Sequence, residues 1–443
     1  MKIAVIGTGY VGLTAGACFA DMGNTVICID NNEEKIKQLQ NGIIPIYEPG
    51  LEELVKSNTA EKRLSFSIDL DRSVKDSQIC FICTGTPQAQ DGSCDLKYVN
   101  SAAKAIAEAM NEYKVIVNKS TVPIGTAEKI AEIIRQNTKH PFDIVSNPEF
   151  LKQGNAVDDF LSPDRVIIGA DSDKAARVMQ ELYSPFFRTG SRVILMDVKS
   201  AEMTKYASNS LLAVKISFMN EIAALCEKTG ADAERVRIGM AADTRIGSKF
   251  LFPGLGYGGS CFPKDVKAIV KTAEEYGAEM SIIKCAGEIN RKQRELFIEK
   301  ITNKFGTDLK GKIFAVWGLA FKPKTNDMRE APSITIINAL LDMGAEIKAC
   351  DPKALETAKA IFKDKIEYFS NAYDALKDAD AMLLITEWNE FRRPDFERMK
   401  TLMKSPVIFD GRNQYNPDRM KEKGFDYCCT GRCGKAEKLF QES

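Results

Sequence analysis

The sequence predicts an α/β protein in which two regions of alternating strands and helices flank a helical middle region. Three observations support this prediction. Short apolar runs alternate with helical stretches up to about residue 199, the stretch 200–229 contains neither proline nor glycine, and the alternation returns from about residue 306. Such alternation is typical of parallel sheets with right-handed crossover connections. We therefore predict domains over residues 1–199, 200–305 and 306–443.

The first predicted strand, at residues 2–6, leads into a glycine-rich turn from Gly7 to Gly12. Between a strand and a helix, such glycines permit a tight turn, a close approach of the backbone to a pyrophosphate and close packing of the helix on the strand. Asp30 ends the next predicted strand, where a carboxylate accepts hydrogen bonds from ribose hydroxyls and repels a 2′-phosphate. The pattern predicts a Rossmann-type domain that binds NAD rather than NADP.

Later strands of the N-terminal region are predicted to end in loops of small polar residues. The strands lie at 79–83, 114–118 and 143–146, and the loops at 84–87, 119–123 and 147–150. Because ligands bind beyond the carboxyl ends of parallel strands, we expect these loops to form the mouth for cofactor and substrate.

The middle region is predicted to be helical, with a long helix over 200–229 and others near 232–242, 264–276 and 281–304. Spacings of three and four give the long helix one apolar face: Ala207, Leu211, Val214, Phe218, Ile222 and Leu225. Lys205 and Asn209 stand one turn apart on the opposite side, where a lysine is ordinarily a solvated charge. We expect that one chain does not cover the whole apolar face.

A second glycine-rich stretch, over 254–265, places one cysteine before a predicted helix start. Pro263 suits the first helical turn. Cys261 would then lie at the positive end of the helix dipole with Lys264 nearby, and both favour the reactive thiolate. Asp265 is a candidate for proton transfer one turn further on. Taken alone, the stretch fits a turn with a structural cysteine equally well.

The C-terminal region repeats the alternation, with strands predicted at 313–317, 347–350, 381–386 and 407–410. Its first strand–helix turn, at 318–323, lacks the Gly-x-Gly-x-x-Gly pattern, so we expect any nucleotide there to bind in another way. We interpret Cys428, Cys429 and Cys433 as free thiols and expect no metal site.

The composition excludes several classes of partner and of catalytic group. The 61 basic and 61 acidic residues cancel, so we expect neither nucleic acid nor a membrane as partner. Twelve cysteines scattered through apolar stretches, with no signal-peptide pattern, predict a reduced cytoplasmic protein. The single histidine, His140, precedes a proline in a polar connection. Acid–base chemistry is therefore expected from Lys, Asp, Glu, Thr or water.

Four motifs carry a family resemblance: Lys-Ser-Thr-Val-Pro at 119–123, Asn-Pro-Glu-Phe-Leu at 147–151, the helix segment 205–209, and Gly-Gly-Ser-Cys-Phe-Pro-Lys-Asp at 258–265. From Gly7 to Arg412 the chain resembles the UDP-glucose/GDP-mannose dehydrogenase family. The resemblance implies oxidation of the C6 alcohol of UDP-glucose to a carboxylate, with two NAD reduced per sugar. It also implies a homodimer built on the central helix.

The resemblance also implies roles for individual residues. Cys261 would form a thiohemiacetal and then a thioester, because hydride leaves easily from a tetrahedral adduct of the aldehyde. Lys205 and Asn209 would stabilise oxyanion charge. Asp265 and Thr121, with a water, would move protons, and Glu149 would place the substrate or the hydrolytic water.

The glycine motif and the resemblance imply two sets of ligand-binding residues. The residues expected to contact NAD are Gly7, Gly9, Tyr10, Val11, Gly12, Asp30, Lys35, Thr86, Thr121, Gln153, Lys264 and Arg329. Those expected to contact the nucleotide sugar are Glu149, Phe150, Leu151, Lys152, Gln153, Lys205, Asn209, Arg245, Phe250, Leu251, Phe252, Pro253, Gly254, Gly258, Phe321, Lys322 and Arg412. Gln153 stands where members of the family often carry Glu, and its amide cannot act as a base. Arg245 is expected to reach the neighbouring subunit's substrate.

Two other interpretations remain open. The same chemistry could serve another nucleotide sugar, such as GDP-mannose or a UDP-N-acetyl sugar. The chain could instead be a non-catalytic NAD-binding sensor. The set of Cys261, Lys205 and Asp265 argues against a sensor, which needs no nucleophile.

Overall fold

A computed structural model describes residues 1–187 and 192–432, so Cys433 lies outside the described residues. These residues divide into two compact units. The first unit consists of the described residues of 1–208 together with 271–278, and the second of 209–270 with the described residues from 279 onward. The ranges expected for three domains stay predictions.

The first unit contains an eight-stranded sheet of order β3-β2-β1-β4-β5-β6-β7-β8. Its strands are β1 (Lys2–Ile6), β2 (Thr25–Ile29), β3 (Leu64–Ser67), β4 (Ile79–Ile82), β5 (Lys114–Asn118), β6 (Phe142–Ser146), β7 (Val166–Ala170) and β8 (Val193–Met196). Its helices are α1 (Tyr10–Asp21), α2 (Glu33–Gln40), α3 (Leu51–Ala60), α4 (Leu70–Lys75), α5 (Lys97–Ala109), α6 (Thr126–Asn137), α7 (Ala156–Leu161) and α8 (Asp173–Tyr183). Every residue of β4 and β5 is buried, as expected for strands covered by helices on both faces.

The sheet differs from the predicted all-parallel arrangement at one pair. Strand β7 runs antiparallel to β6, with Val145 opposite Ala170 and Ser146 opposite Gly169. An antiparallel neighbour needs no crossover across the sheet, and the short α7 is enough to connect the two strands. The carboxyl ends of β1, β4, β5 and β6 still lie along one edge, because these four pair in parallel.

Four helices form the middle of the chain: α9 (Val198–Thr229), α10 (Ala233–Ala241), α11 (Phe262–Glu275) and α12 (Ser281–Phe305). The predicted bounds of these helices agree within two residues at each end. Part of the predicted apolar face of α9 is exposed, as expected for a face that one chain does not wholly cover: Leu211 and Phe218 are 62% and 45% exposed. The polar residues Lys205, Asn209 and Asn220 are buried. Helical periodicity located the two faces, but it did not predict that the polar one would be buried.

The second sheet has six parallel strands in the order β11-β10-β9-β12-β13-β14. They are β9 (Ile313–Trp317), β10 (Glu346–Cys350), β11 (Glu367–Phe369), β12 (Ala381–Leu384), β13 (Val407–Asp410) and β14 (Asp426–Cys429). Its helices are α13 (Pro332–Asp342), α14 (Leu355–Phe362), α15 (Ala372–Ala375), α16 (Phe396–Leu402) and α17 (Pro417–Glu422). The strand order matches that of β3-β2-β1-β4-β5-β6, so the two sheets share a Rossmann-like topology that the sequence did not reveal as a repeat.

Within the described residues, no helix is long and apolar enough to cross a membrane.

A buried carboxylate on α9 caps α6. Glu202 is 2% exposed, and its two oxygens accept hydrogen bonds from the backbone of Gly125 at 2.6 Å and Ala127 at 2.9 Å. These donors belong to the first turn of the helix, whose N–H groups have no intrahelical acceptor. Burial raises the pKa of Glu202 to about 7, although the two backbone hydrogen bonds oppose the shift.

Glu202 makes the stability of the fold depend on pH. The carboxyl titrates near 4.5 in an unfolded chain and near 7 in the folded protein, so the folded state binds more protons between these values. Stability is therefore lost as pH rises from about 4.5 to 7. Glu202→Gln removes this dependence. The difference in melting temperature between wild type and variant should therefore change with pH, and we expect the wild type to lose about 3 °C relative to the variant between pH 5 and pH 7.5.

Calorimetric scans across this range measure the difference. Glu128→Gln is the matched control, since that carboxylate is 67% exposed and pairs with Lys199 at 2.8 Å. A difference that stays constant with pH for Glu202→Gln would contradict the raised pKa.

Candidate active site

The loops at the carboxyl edge of the first sheet hold one another in place. The Ser120 hydroxyl donates to the Thr84 carbonyl at 2.8 Å, and the Thr86 hydroxyl donates to the Thr121 carbonyl at 2.9 Å. The backbone N–H of Asn147 donates to the Asn118 carbonyl at 2.9 Å. The loops that follow β4, β5 and β6 thus meet.

The glycine turn after β1 has the geometry that a pyrophosphate requires. Gly7 has a φ of +99°, and a Cβ there would lie 2.8 Å from the Cys83 carbonyl oxygen. A Cβ at Gly12 would overlap the Gly7 carbonyl, whereas a Cβ at Gly9 would meet nothing within 4 Å. The first and third glycines are therefore required by packing, and the second leaves open space beside the start of α1. The residues present fit a dinucleotide at this turn.

Asp30 lies at the end of β2 as predicted and faces the same turn. Its Oδ2 accepts hydrogen bonds from the Thr8 N–H at 3.0 Å, the Thr8 hydroxyl at 2.7 Å and Lys35 Nζ at 2.9 Å. Burial raises the pKa of Asp30, but the hydrogen bonds from Lys35 and Thr8 outweigh it and lower the pKa to about 2. The carboxylate is therefore ionised at neutral pH.

Glu48 is a residue of this region that the sequence did not indicate. It is 5% exposed, and the Tyr10 hydroxyl donates to its Oε2. The backbone N–H groups of Gly154 and Ala156 donate to the same carboxylate at 2.6 and 2.7 Å. Glu48 therefore joins the start of α1 to the loop that contains Gln153. Its contacts span about a hundred residues, and no local spacing could have found them.

Lys205 and Glu149 form a buried ion pair in the first unit. The Nζ atom of Lys205 donates to the Glu149 carbonyl at 2.5 Å and to its Oε1 at 3.1 Å. The Glu149 Oε2 accepts from the Leu151 N–H at 2.6 Å. The two side chains are only 5% and 6% exposed, so Lys205 is not the solvated charge that a lysine on such a helix ordinarily is. A pair this buried depends on such extra hydrogen bonds to offset the desolvation of both charges.

A second buried lysine, Lys119, lies near this pair and was not predicted as a site residue by itself. Its Nζ donates to Asn147 Oδ1 at 3.0 Å and to the Tyr183 hydroxyl at 3.2 Å. It also lies 5.3 Å from the centre of the Phe160 ring. Burial lowers the pKa of Lys119 to about 8, with opposing contributions from Cys83 and Glu149.

In the second unit, Cys261 lies directly before α11, as predicted. It is exposed, and its carbonyl accepts a hydrogen bond from the Asp265 N–H at 2.8 Å. Cys261 is therefore the N-cap residue of α11. Most other described cysteines are buried, and burial raises the pKa of Cys80 and Cys83 to about 12. Exposure at a helix N-terminus distinguishes Cys261 from these inert thiols.

Asp265 lies one turn beyond Cys261 and is fully buried. Its Oδ2 accepts a hydrogen bond from Asn209 Nδ2 at 2.7 Å, and Lys264 Nζ lies 2.7 Å from its Oδ1. The amide of Asn209 is thereby oriented by a carboxylate. Asn209 stands four residues after Lys205 on α9, so one helix carries both residues expected to stabilise oxyanion charge.

The loop before Cys261 is packed too closely for side chains. A Cβ at Gly256 would collide with the Asn290 amide, one at Gly258 with the Glu330 carbonyl, and one at Gly259 would lie 2.8 Å from the Phe321 ring. Phe250, further back along the chain, has a φ of +63°, a strained conformation for a bulky residue. Strain of this kind is concentrated at functional sites.

The remaining predicted substrate and cofactor residues of the second unit differ in burial. Arg412 is 15% exposed and lies 3.2 Å from Glu387, and its Nε donates to the Ile385 carbonyl at 2.7 Å. Arg329 is 64% exposed and pairs with Asp327 through two nitrogens. Arg245 is 88% exposed, and among the described residues its guanidinium pairs with Asp243.

The C-terminal sheet has its own counterpart of Asp30. Asp351 follows β10, but it is 2% exposed, and its Oδ2 accepts hydrogen bonds from the backbone of Leu319 at 2.7 Å and from Trp388 Nε1 at 3.1 Å. Lys353 and Ala354 donate to Oδ1 at 2.8 Å each. Backbone and indole N–H groups thus occupy both oxygens of the Asp351 carboxylate. This turn therefore does not offer a carboxylate to a ribose, in agreement with its lack of the dinucleotide pattern.

Within residues 1–187 and 192–432, no group of three His, Cys, Asp or Glu side chains is arranged to hold a metal ion.

Comparison with known proteins identifies the family of each part of the chain. Residues 1–187 match the profile described as "UDP-glucose/GDP-mannose dehydrogenase family, NAD binding domain". Residues 199–292 match the central domain of the same family, and 315–417 match its UDP binding domain. The chain is 48% identical over 433 residues to UDP-glucose 6-dehydrogenase TuaD of Bacillus subtilis (strain 168), covering 97% of this chain and 93% of that protein. It is 45% identical to UDP-glucose 6-dehydrogenase of Pseudomonas aeruginosa (strain PAO1), covering 98% of each.

Solved structures are similar over the same extent. A UDP-glucose dehydrogenase from the archaeon Pyrobaculum islandicum is 35% identical with a TM-score of 0.89, covering 96% of each chain. A UDP-D-ManNAc dehydrogenase from Pyrococcus horikoshii is 28% identical with a TM-score of 0.86, covering 98% of this chain and 99% of the other. From its three matched domains and its full-length relatives, we conclude that the chain belongs to the UDP-glucose/GDP-mannose dehydrogenase family.

Proposed function

We propose that this chain oxidises the C6 alcohol of UDP-glucose to a carboxylate, giving UDP-glucuronate, with NAD as the oxidant. The observation that carries the proposal is the exposed Cys261 at the start of α11, in a chain that also has an NAD-type glycine turn. A simple alcohol oxidation needs no nucleophile, whereas oxidation of the resulting aldehyde is much easier from a covalent adduct.

The cofactor is held by the glycine turn and by Asp30 in this proposal. Gly9 leaves room for the pyrophosphate, and the ionised Asp30 accepts from ribose hydroxyls. Bound NAD supplies the hydride acceptor for both oxidations. Val11, Thr86, Gln153, Lys264 and Arg329 stay predicted contacts of the cofactor.

The two residues of α9 act on oxygen. Lys205 donates to the substrate oxygen as charge develops there, and Glu149 keeps the ammonium in place through its carbonyl and carboxylate. Asn209, whose amide is oriented by Asp265, supplies a second donor. Both groups are buried and fixed beforehand, so they lose little free energy to reorganisation during the reaction.

Cys261 performs the covalent step. Its thiolate adds to the C6 aldehyde carbon, the carbonyl oxygen takes up a proton, and a thiohemiacetal forms. With that hydride acceptor bound, loss of a hydride from this carbon and of the hydroxyl proton would leave a thioester on Cys261. Water attacks the thioester, and the C–S bond breaks to release the carboxylate and the thiol. Asp265 and Thr121 are proposed to move protons, and Glu149 to place the water.

The nucleotide sugar is assigned by similarity. Full-length relatives at 48% and 45% identity are named UDP-glucose 6-dehydrogenases, whereas a structure named for UDP-D-ManNAc is 28% identical. We therefore favour UDP-glucose over GDP-mannose or a UDP-N-acetyl sugar. Arg412, Lys322 and Phe321, with the 250–254 segment, are proposed to hold it in the second unit.

We also propose a homodimer through α9. Leu211, Phe218 and Leu225 are 62%, 45% and 57% exposed on one face of this helix, and burying such a face stabilises association. Arg245, which is 88% exposed, is proposed to reach the substrate of the neighbouring subunit. The many buried thiols lead us to expect the cytoplasm as the site of action.

Cofactor selectivity should depend on Asp30. The wild type should use NAD with a much higher kcat/KM than NADP, because the 2′-phosphate would meet the carboxylate. In Asp30→Ala, Lys35 loses its partner and can attract the phosphate, so the NADP/NAD ratio of kcat/KM should rise about 10-fold or more. Initial rates with both cofactors measure this. Glu33→Ala, at an exposed carboxylate nearby, should leave the ratio unchanged, and a wild type that prefers NADP would contradict the assignment.

The stoichiometry of NADH tests Cys261. Wild-type protein should form two NADH and one UDP-glucuronate per UDP-glucose. In Cys261→Ala, the rate of acid formation should fall by about 10³-fold or more, while some aldehyde accumulates. Cys261→Ser should also be severely slowed, since a hydroxyl is far less ionised than a thiol. Cys285→Ala, at an exposed thiol on α12, is the control. UDP-glucuronate formation at the wild-type rate by Cys261→Ala would refute the covalent mechanism.

Assembly can be tested on the exposed face of α9. The double variant Leu211→Glu and Phe218→Glu places charges on the proposed interface, and we expect sedimentation to show monomers where the wild type forms dimers. Ile361→Glu, at an apolar side chain that is 42% exposed on α14, is the control and should remain dimeric. A wild type that sediments as a fully active monomer would overturn the dimer.

A further inference from the structure

Helix α12 holds the glycine-rich loop that leads to Cys261. The Asn290 amide pairs with the backbone of Tyr257 in both directions, accepting from its N–H at 2.7 Å and donating to its carbonyl at 3.0 Å. Gly256 has a φ of +84°, and a Cβ there would collide with the Asn290 amide. The loop is thus pinned to α12 four residues before the cysteine.

Arg294 stands one turn further along α12 and contacts two segments at once. Its NH2 group donates to the Tyr257 carbonyl at 3.1 Å and to the Glu330 carbonyl at 3.0 Å, and its NH1 group donates to the Thr335 hydroxyl at 3.2 Å. The side chain is 9% exposed. One guanidinium therefore links the loop of the nucleophile to the segment that enters α13 of the C-terminal sheet.

Two further contacts make the same connection. The Gly259 N–H donates to the Arg329 carbonyl at 2.8 Å, and the Gly258 backbone approaches the Glu330 carbonyl so closely that a Cβ could not fit. Glu330 has a φ of +52°, an unfavourable conformation for a residue with a side chain. Surrounding contacts must hold such a residue in place, and Arg294 supplies one of them.

Arg294 is placed poorly for stability alone. Its Nε is buried without a hydrogen-bond acceptor among the described residues, which costs free energy. Burial lowers the pKa of Arg294, and the nearby positive charge of Arg412 lowers it further. Arg412 belongs to the set proposed to hold the nucleotide, so an anion bound there would relieve this repulsion.

We propose that Arg294 is a positioning residue that couples occupation of the UDP-binding domain to the placement of Cys261. This inference rests on the proposed function and names a further residue for it. A uridine diphosphate bound beside Arg412 and the 321–335 segment fixes the Glu330 carbonyl, and Arg294 passes this constraint to Tyr257 and the loop of the nucleophile. The thiol is thereby set in its reactive position only when the nucleotide is present.

The substitution Arg294→Lys tests the linkage. A lysine keeps the charge, but its single nitrogen cannot reproduce the planar fork that reaches Tyr257, Glu330 and Thr335 together. We expect kcat with UDP-glucose to fall about 30-fold or more, because misplacement of a reacting group is costly, while the KM for NAD stays within about two-fold. Arg291→Lys is the matched control, since Arg291 lies on the same helix, is 65% exposed and pairs with Glu295.

A second readout does not need turnover. Alkylation of Cys261 by iodoacetamide is timed with and without UDP, and the modified peptide is quantified by mass spectrometry. In the wild type and in Arg291→Lys, we expect UDP to change the alkylation rate several-fold. In Arg294→Lys, the rate should be nearly the same with and without UDP, although calorimetry still detects UDP binding.

Thr335→Val removes only the hydrogen bond between Arg294 and Thr335. This milder variant keeps the proposal testable if Arg294→Lys does not fold. It should reduce the UDP effect on alkylation partially while its melting temperature stays near that of the wild type. An alkylation rate in the wild type that does not respond to UDP, or a full response in Arg294→Lys, would overturn the proposal. So would an equal loss in Arg291→Lys. Failure of the proposed function is separate, because it would appear as absent NADH formation by the wild type with UDP-glucose.

Discussion

Close backbone approaches at glycine are the constraint on which both glycine-rich loops depend. At the turn after β1, Gly7 and Gly12 let the strand, the turn and α1 meet at distances that a Cβ would prevent. At the loop before Cys261, Gly256, Gly258 and Gly259 do the same against α12 and the C-terminal segment. In both places these glycines pack protein against protein, and at the first turn the neighbouring Gly9 faces open space in which a ligand would fit. Rigid loops of this kind let a small number of side chains carry the chemistry.

The polar face of α9 is buried at a cost in free energy that specific contacts offset. Burying Lys205, Glu149, Asn209 and Asp265 removes charges from water, which is unfavourable unless each one is paired and hydrogen-bonded. The observed contacts satisfy this condition, since the lysine meets a carboxylate and a carbonyl, and the asparagine meets a second carboxylate. Leu211, Phe218 and Leu225 of the same helix are exposed, whereas its apolar residues Tyr206 and Met219 are buried. The helix therefore buries polar and apolar side chains together, unlike a surface helix with one apolar stripe.

Much of this could be predicted from the sequence, and the remainder has physical reasons for being hidden. Strands such as β1, β5 and β9 were predicted at their observed bounds, because buried strands read as short apolar runs. Asp30 and Cys261 were predicted at their observed places, because local motifs fix them. The antiparallel β7, the buried state of Lys205 and the roles of Glu48, Glu202 and Arg294 were not found. Each of these depends on partners tens to a hundred residues away, and a linear pattern carries no information about such contacts.

The saturated carboxylate of Asp351 has a consequence for how the two sheets can diverge. Both have the same strand order, yet at the C-terminal turn the protein's own backbone and Trp388 occupy the oxygens that a ribose would need. Introducing a glycine pattern at 318–323 would therefore not convert this turn into a second dinucleotide site, because the Asp351 carboxylate would still be occupied by the protein's own N–H groups. Any nucleotide at this sheet would have to be held by side chains other than Asp351.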